Sequence, residues 1–179
     1  MINVSEVYKD FPSEFKSFLH KKTYDALREL NIPFERVEND SAVTMEDCIQ
    51  IDARLNMKTV KTLLLTNRQE TSFYLFVTPG DKMFRTKDFS SAMGISRVSF
   101  ATPEKLLEIL GTEVGAATIF GLLCESARDV QLVFYSQAMC EEWYGCTDGT
   151  TTGYMKIATK DVLEKLVPYT NHHYTVIDV

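Results

Sequence analysis

The residue with the clearest chemical potential is Lys61. It lies inside Thr59-Val60-Lys61-Thr62-Leu63-Leu64-Leu65-Thr66, an apolar and β-branched run that reads as a buried strand. A lysine in such a strand is costly unless its ammonium meets a partner or reaches the mouth of a cavity. There it could hold an anionic or carbonyl-bearing ligand. The plainer alternative is a sheet-edge lysine whose stem packs and whose head stays in water. The second candidate is the small-residue loop Gly115-Ala116-Ala117-Thr118-Ile119-Phe120-Gly121. Small residues let a ligand approach the backbone, whose free N–H groups can donate to a carbonyl or oxyanion. The same composition suits a tight buried crossover between elements. Other constellations are missing. The chain has no G-x-S-x-G and no H-E-x-x-H. His172 and His173 are adjacent, so on a strand their rings point to opposite faces, and both read as surface residues. Trp143 reads as core rather than as a base-stacking platform. Cys48, Cys124, Cys140 and Cys146 contain no C-x-x-C pair, which points to thiols rather than a zinc site or a disulfide framework.

These residues must be held by elements that the hydrophobic pattern outlines. Residues 1–12 show little periodicity and read as a loosely held lead-in. Ser13 looks like an N-cap, and Phe15, Phe18, Leu19, Ala26, Leu27 and Leu30 fall at helical spacing over residues 14–30. Phe34–Glu38 alternates like a strand. Thr44 caps a helix over residues 45–55, with Glu46 or Asp47 in its first turn. The Lys61 strand and Thr71–Thr78 suggest a hairpin across Asn67-Arg68-Gln69-Glu70. A short helix over Thr86–Met93 ends at Gly94, and a short strand follows at Val98–Ala101. Thr102-Pro103-Glu104 opens a further helix that Gly111 stops. Val130–Tyr135, Tyr154–Ala158 and His173–Val179 read as strands, and Cys146–Gly153 as a polar loop of hairpin character. Thr159 caps a helix over residues 160–166 that should stop before Pro168. Strands and helices mix without repeated β-α-β units, which predicts an α+β fold with a central mixed, mostly antiparallel sheet and flanking helices.

The chain length, 179 residues, suits one domain. Its 45% hydrophobic and 25% charged content is ordinary for a globular protein. No apolar run approaches the roughly 20 residues that span a bilayer. The start, Met1-Ile2-Asn3-Val4, lacks a basic-then-apolar leader pattern, so a cytoplasmic protein is expected, with no membrane partner. The net charge of −6 argues against broad, non-specific nucleic-acid binding, and DNA is not expected as a partner. Two local basic clusters stand out, Lys16, His20, Lys21 and Lys22, and Lys82, Arg85 and Lys87. Each, taken alone, also reads as solvated surface charge.

In combination the segments are more specific. Val60-Lys61-Thr62-Leu63-Leu64-Leu65, Tyr74-Leu75-Phe76-Val77, Ser99-Phe100-Ala101-Thr102-Pro103-Glu104-Lys105-Leu106, Leu110-Gly111 and the Gly115–Gly121 loop follow one another in that order. Together they resemble the YbaK/ProX superfamily of aminoacyl-tRNA deacylases, relatives of the editing domain inserted in bacterial prolyl-tRNA synthetases. The resemblance covers residues 25–179 and leaves residues 1–24 as an N-terminal helical extension. It implies a pocket for the aminoacyl group at the tRNA 3′ end, and hydrolysis of a mischarged ester, such as tRNA-Pro carrying alanine, cysteine or a similarly small amino acid. It implies that Lys61 engages the terminal adenosine or its phosphate. Gly115, Ala116, Ala117, Thr118 and Ile119 would contact the aminoacyl carbonyl, and Thr44 would border the pocket. No metal or other cofactor is implied; a water helped by the ribose hydroxyl attacks the ester, and the protein positions and stabilises. An aminoacyl-tRNA synthetase is a possible partner. Two positions depart from the family. Ile119 stands where the family has proline, and Thr147-Asp148-Gly149-Thr150-Thr151-Thr152 replaces a segment with a His-Pro pair and an asparagine. Asp148 would bring a negative charge towards the pocket, where it would either select an ammonium group or repel the tRNA, as in a protein that has lost the activity. Lys16, Lys21, Lys22, Lys82 and Arg85 are the candidates for tRNA contacts. The alternative function is a non-catalytic binding module of the same fold, for an aminoacyl-like ligand or a protein partner.

Overall fold

Two sheets, rather than one, organise the chain in the computed structural model, which describes residues 1–179. The first helix, α1 (Phe18–Glu29), begins later than the Ser13 signal predicts. Ser17 is the residue that caps it, its hydroxyl accepting from the His20 N–H at 3.0 Å. Strand β1 (Phe34–Glu38) follows, then α2 (Cys48–Leu55), β2 (Val60–Asn67), β3 (Phe73–Pro79), α3 (Thr86–Met93), β4 (Val98–Phe100) and α4 (Pro103–Leu110). The Thr102 hydroxyl caps α4 with Pro103 at its first position, and Gly111 closes it at φ +70°. A 3-10 turn at Ile119–Leu123 leads towards β5 (Gln131–Tyr135), and β6 (Trp143–Thr147) and β7 (Gly153–Ala158) form a hairpin. The last strand is β8 (Tyr174–Ile177).

The five-stranded sheet has the order β4-β2-β3-β5-β8 and the three-stranded sheet β1-β7-β6. Four of the six pairings are antiparallel, while β3–β5 and β5–β8 are parallel. This is the α+β, mixed-sheet class that the pattern predicts. The main core lies between the sheets. Leu64, Leu75, Val77, Leu132 and Phe134 face Phe34, Tyr144, Met155 and Ile157, with Leu19, Tyr24 and Leu27 of α1 alongside. The period of two sends Leu65, Tyr74, Phe76 and Val133 to the opposite face, where Phe89 of α3 covers them. Cys48, Ile51 and Leu55 of α2 cover Val37 and Tyr154 on the outside of the small sheet.

Two expectations are corrected. Residues 1–12 are not a loose lead-in: Val4 bridges Asn39 and Tyr8 bridges Arg36, so the segment runs along β1. The last helix does not stop before Pro168. It runs as α5 (Thr159–Asp161), a π turn at Val162–Leu166 and α6 (Val167–Tyr169). In the wide turn Val167 N–H donates to Val162 O, which makes room for a proline ring that an ordinary turn would reject. No helix is long and apolar enough to cross a membrane.

Candidate active site

Lys61 sits on β2 opposite Thr78, on the face it shares with Leu63 and Leu65. Its Nζ reaches past the sheet to donate to the Lys82 carbonyl at 2.9 Å. Beside it lies a cavity of about 280 Å3. One wall is the start of β2. A second is the strap Val43–Met45 that enters α2. The third is Gly115 and Ala117, and the floor is Cys48, Cys146 and Tyr154. The strap is pinned by one carboxylate: Asp47 Oδ2 accepts from Val43 N–H at 3.1 Å, Thr44 N–H at 3.0 Å and the Thr44 hydroxyl at 2.9 Å. The Thr44 and Val43 amides hold the Asp47 carboxyl below its usual range. Gly115 has φ +90°, and a Cβ there would stand 2.9 Å from Val43 Cγ1. Only glycine lets the strap and the loop close on one another this tightly.

The donors and charges in the cavity define its chemistry. On its wall the backbone N–H groups of Gly115 and Ala117 have no acceptor in the protein; those of Thr118 and Ile119, also without one, lie behind the wall, and Ala116 N–H donates to Glu113 O. No carboxylate lines the cavity, and Lys61 is its one charged wall residue. Burial pushes the Cys48 and Cys146 thiols and the Tyr154 phenol above their ordinary values, so all three stay protonated and neutral. No nucleophile–base pair is present there. A buried His–Asp pair does exist outside the cavity, but it cannot act as a base. His20 Nδ1 accepts from Lys16 N–H and Nε2 meets Asp148 Oδ2, both at 3.0 Å, so no ring nitrogen is left over.

The structure thus brings Lys61, Thr44, Gly115 and Ala117 to one cavity, and sends four other expected site residues elsewhere. Ala116, Thr118 and Ile119 are fully buried. Ile119 joins the main core, and the Thr118 hydroxyl donates to Thr147 O at 2.9 Å while accepting from Phe120 N–H. That hydroxyl ties the loop to β6. Asp148 does not face the cavity. It is 3% exposed, and its carboxylate is occupied by His20, the Tyr24 hydroxyl, and the N–H and hydroxyl of Thr150. A hairpin turn that must pack under α1 turns its acid inward. His172, expected on the surface, is buried too, with Nε2 bonded to Ala127 O at 2.9 Å.

The five expected tRNA-contacting cations do not form one patch at this cavity. Lys16 donates to the Thr152 hydroxyl, Lys21 pairs with Asp25, and Lys22 donates to Leu123 O. Arg85 pairs with Asp88, and Lys82 alone stands next to Lys61. The sequence reading missed Tyr154, Cys146, Cys48 and the pinning acid Asp47. Only Asp47, expected in the first turn, left a local signal; α2 starts at Cys48 with Asp47 in the cap position, so Thr44 precedes the helix instead of capping it and its hydroxyl accepts from Asp47 N–H.

The family model for the aminoacyl-tRNA editing domain matches residues 40–165. The chain belongs to this family. Among curated relatives of the editing domain, the prolyl-tRNA editing protein ProX of Acetoanaerobium sticklandii is 26% identical over 153 residues, 86% of this chain and 93% of that protein. Two solved structures share the fold at 17% identity. Hypothetical protein APE2540 superposes with a TM-score of 0.65 over 87% of this chain and 98% of its own. A candidate trans-editing enzyme for prolyl tRNA synthetase superposes with 0.66 over 91% and 98%. Cavity, strap, Lys61 and the Gly115 loop all fall within the matched editing domain.

Proposed function

We propose that this protein is a free-standing trans-editing deacylase that hydrolyses the ester of a mischarged aminoacyl-tRNA. The observation that carries this reading is a small neutral cavity with unpaired backbone donors on one side and a lysine ammonium at its edge. At about 280 Å3 it is at or below the roughly 300–1,000 Å3 of pockets for drug-sized ligands, which suits a small aminoacyl group. Excluding one further methylene supplies about 1–3 kcal/mol of discrimination. Lys61 takes the adenosine or its phosphate as a point charge. The N–H groups of Gly115 and Ala117 are the donors for the carbonyl oxygen as it gains charge. The protein offers no base, so the substrate's own ribose hydroxyl assists the attacking water, and the protein contributes placement.

The ProX relative is named for editing prolyl-tRNA, which supports tRNA-Pro as the nucleic acid; we extend the reading to alanine or cysteine as the ester, a synthetase as the upstream source of the error and a cytoplasmic location. Residues 1–24 act as an extension docked on the editing domain through His20 and Tyr24. The second reading, a binding module without activity, is favoured by one observation: no group in the cavity is poised to move a proton. A deacylation panel separates the two. Alanyl-, cysteinyl- and prolyl-tRNA-Pro are tested beside seryl- and threonyl-tRNAs, with wild type and Lys61→Ala. Turnover of one mischarged species that Lys61→Ala abolishes establishes the deacylase. A flat panel with wild type leaves the binding module.

A further inference from the structure

The aminoacyl cavity adjoins a larger groove of about 720 Å3, and Met45, Thr59 and Val60 line both. Lys82, whose carbonyl holds the Lys61 ammonium, lines the groove, so Lys61 stands at the boundary between the two spaces. The far wall is Trp143, 40% exposed, contrary to its expected place in the core. Its ring is held from one side by Lys156, 5.0 Å from the centroid, and Lys156 is itself fixed by Glu35 at 2.9 Å. Ile49 of α2 contributes another exposed apolar surface, 64% accessible. The Gln137 side-chain amide is exposed and makes no hydrogen bond in the protein.

The charge of the groove narrows its occupant. Lys58 and Lys82 face Glu46, Asp52, Asp81 and Glu141. Glu141 is paired with Lys58 at 2.9 Å, and Asp52 is consumed by the N–H and hydroxyl of Thr59. This is no surface for a phosphate-dense duplex, which demands an excess of basic groups. With Lys58 paired, Lys82 is the one free cation of the groove, beside Glu46 and Asp81, so an exposed indole and a free amide, rather than charge, match a short single strand read by stacking.

We propose that this groove receives the unpaired nucleotides preceding the terminal adenosine of the tRNA 3′ end, with one base stacked on Trp143. The site rests on the deacylase reading above: with the ester in the small cavity and the terminal adenosine at Lys61, the strand must leave past Lys82. Trp143 is a substrate-binding residue of the strand, and its loss acts on the long substrate more than on the short one.

Trp143 is the single tryptophan of the chain, so the intrinsic fluorescence of the protein reports on this groove. Titrating wild type with a stem-loop RNA ending in an unpaired C-C-A should quench that emission saturably. The same stem-loop without the overhang should not. Trp143→Leu should lower kcat/KM for aminoacyl-tRNA by five- to a hundredfold more than it lowers that for aminoacyl-adenosine, chiefly through KM, and Trp143→Phe should recover part of the loss. Binding should weaken with salt only as one or two phosphate contacts require. Equal losses on both substrates, quenching that ignores the overhang, or quenching by a synthetase and not by the RNA would each overturn the site. Should wild type hydrolyse nothing, the deacylase reading falls and the quenching still decides the groove. Should it hydrolyse aminoacyl-tRNA without quenching, the groove falls alone.

Discussion

Gly115→Ala is the sharpest test of how the cavity is built. The native φ of +90° lies where an L side chain is strained by about 1–3 kcal/mol. The new methyl would also stand 2.9 Å from Val43 Cγ1 and 3.1 Å from Val43 Cα. The second contact is with backbone, and Val43 cannot retreat freely because its N–H is tied to Asp47 at 3.1 Å. Relief must come from the Gly115–Ile119 loop, which carries the unpaired donors. Strain of about 1–3 kcal/mol expressed in the loop's position lowers kcat/KM by roughly five- to 150-fold. Whatever part is expressed as stability appears as a fall in Tm of about 2–4 °C per kcal/mol in a chain of this size. The assays are single-turnover release of the amino acid and thermal unfolding by circular dichroism. Val43→Ala in the same chain removes the 2.9 Å contact but not the φ cost, so the double variant should regain part of the loss. A Gly115→Ala protein equal to wild type in both assays would refute the reasoning. So would a double variant no better than the single one.

Asp148→Ala should destabilise the protein by about 3 kcal/mol in urea unfolding, because it strands the His20 ring, the Tyr24 hydroxyl and the Thr150 groups. Adding His20→Ala should cost less than the separate losses sum to, and a strictly additive pair would contradict the network. Asp47→Ala should loosen the strap and raise KM several-fold more than it lowers kcat; a pure stability loss would contradict that role. Since the Asp47 carboxyl titrates below its ordinary 3.8, its bonds are fully present above that pH and are lost as the pH falls through the lower folded value. The Val43 and Thr44 amide resonances should then move together with a midpoint below 3.8, and should stay still in Asp47→Asn. A thiol reagent should modify exposed Cys140 first, while Cys48 and Cys146 react only on unfolding; prompt labelling of Cys146 would contradict its burial.

What the sequence disclosed follows from the range of the forces involved. Helices α3 and α4 and the β2–β3 hairpin were legible because their caps, glycines and alternation act over a few residues. Ser17 was overlooked for Ser13 because both precede apolar helical spacing, and only tertiary packing on His20 chooses between them. Pro168 stops an ordinary helix but not one widened by a π turn, which has no local signature. At the site, the grouping of Lys61, Gly115, Ala117 and Thr44 was legible through family resemblance. The inward turn of Asp148 was not, since its partners His20 and Tyr24 lie 128 and 124 residues away. Trp143 escaped for a related reason: a lone aromatic at a strand start reads as core until the neighbouring wall is known.

The pairing order also dictates when the molecule can assemble during synthesis. β1 finds its sheet partner in β7, and α1 is anchored by a hairpin turn made more than a hundred residues later. The β2–β3 hairpin can close as soon as it emerges, but the amino-terminal stretch must wait with its apolar face uncovered until the chain is nearly complete. A nascent chain halted anywhere before β7 would therefore present that stretch to chaperones and proteases rather than to its own sheet.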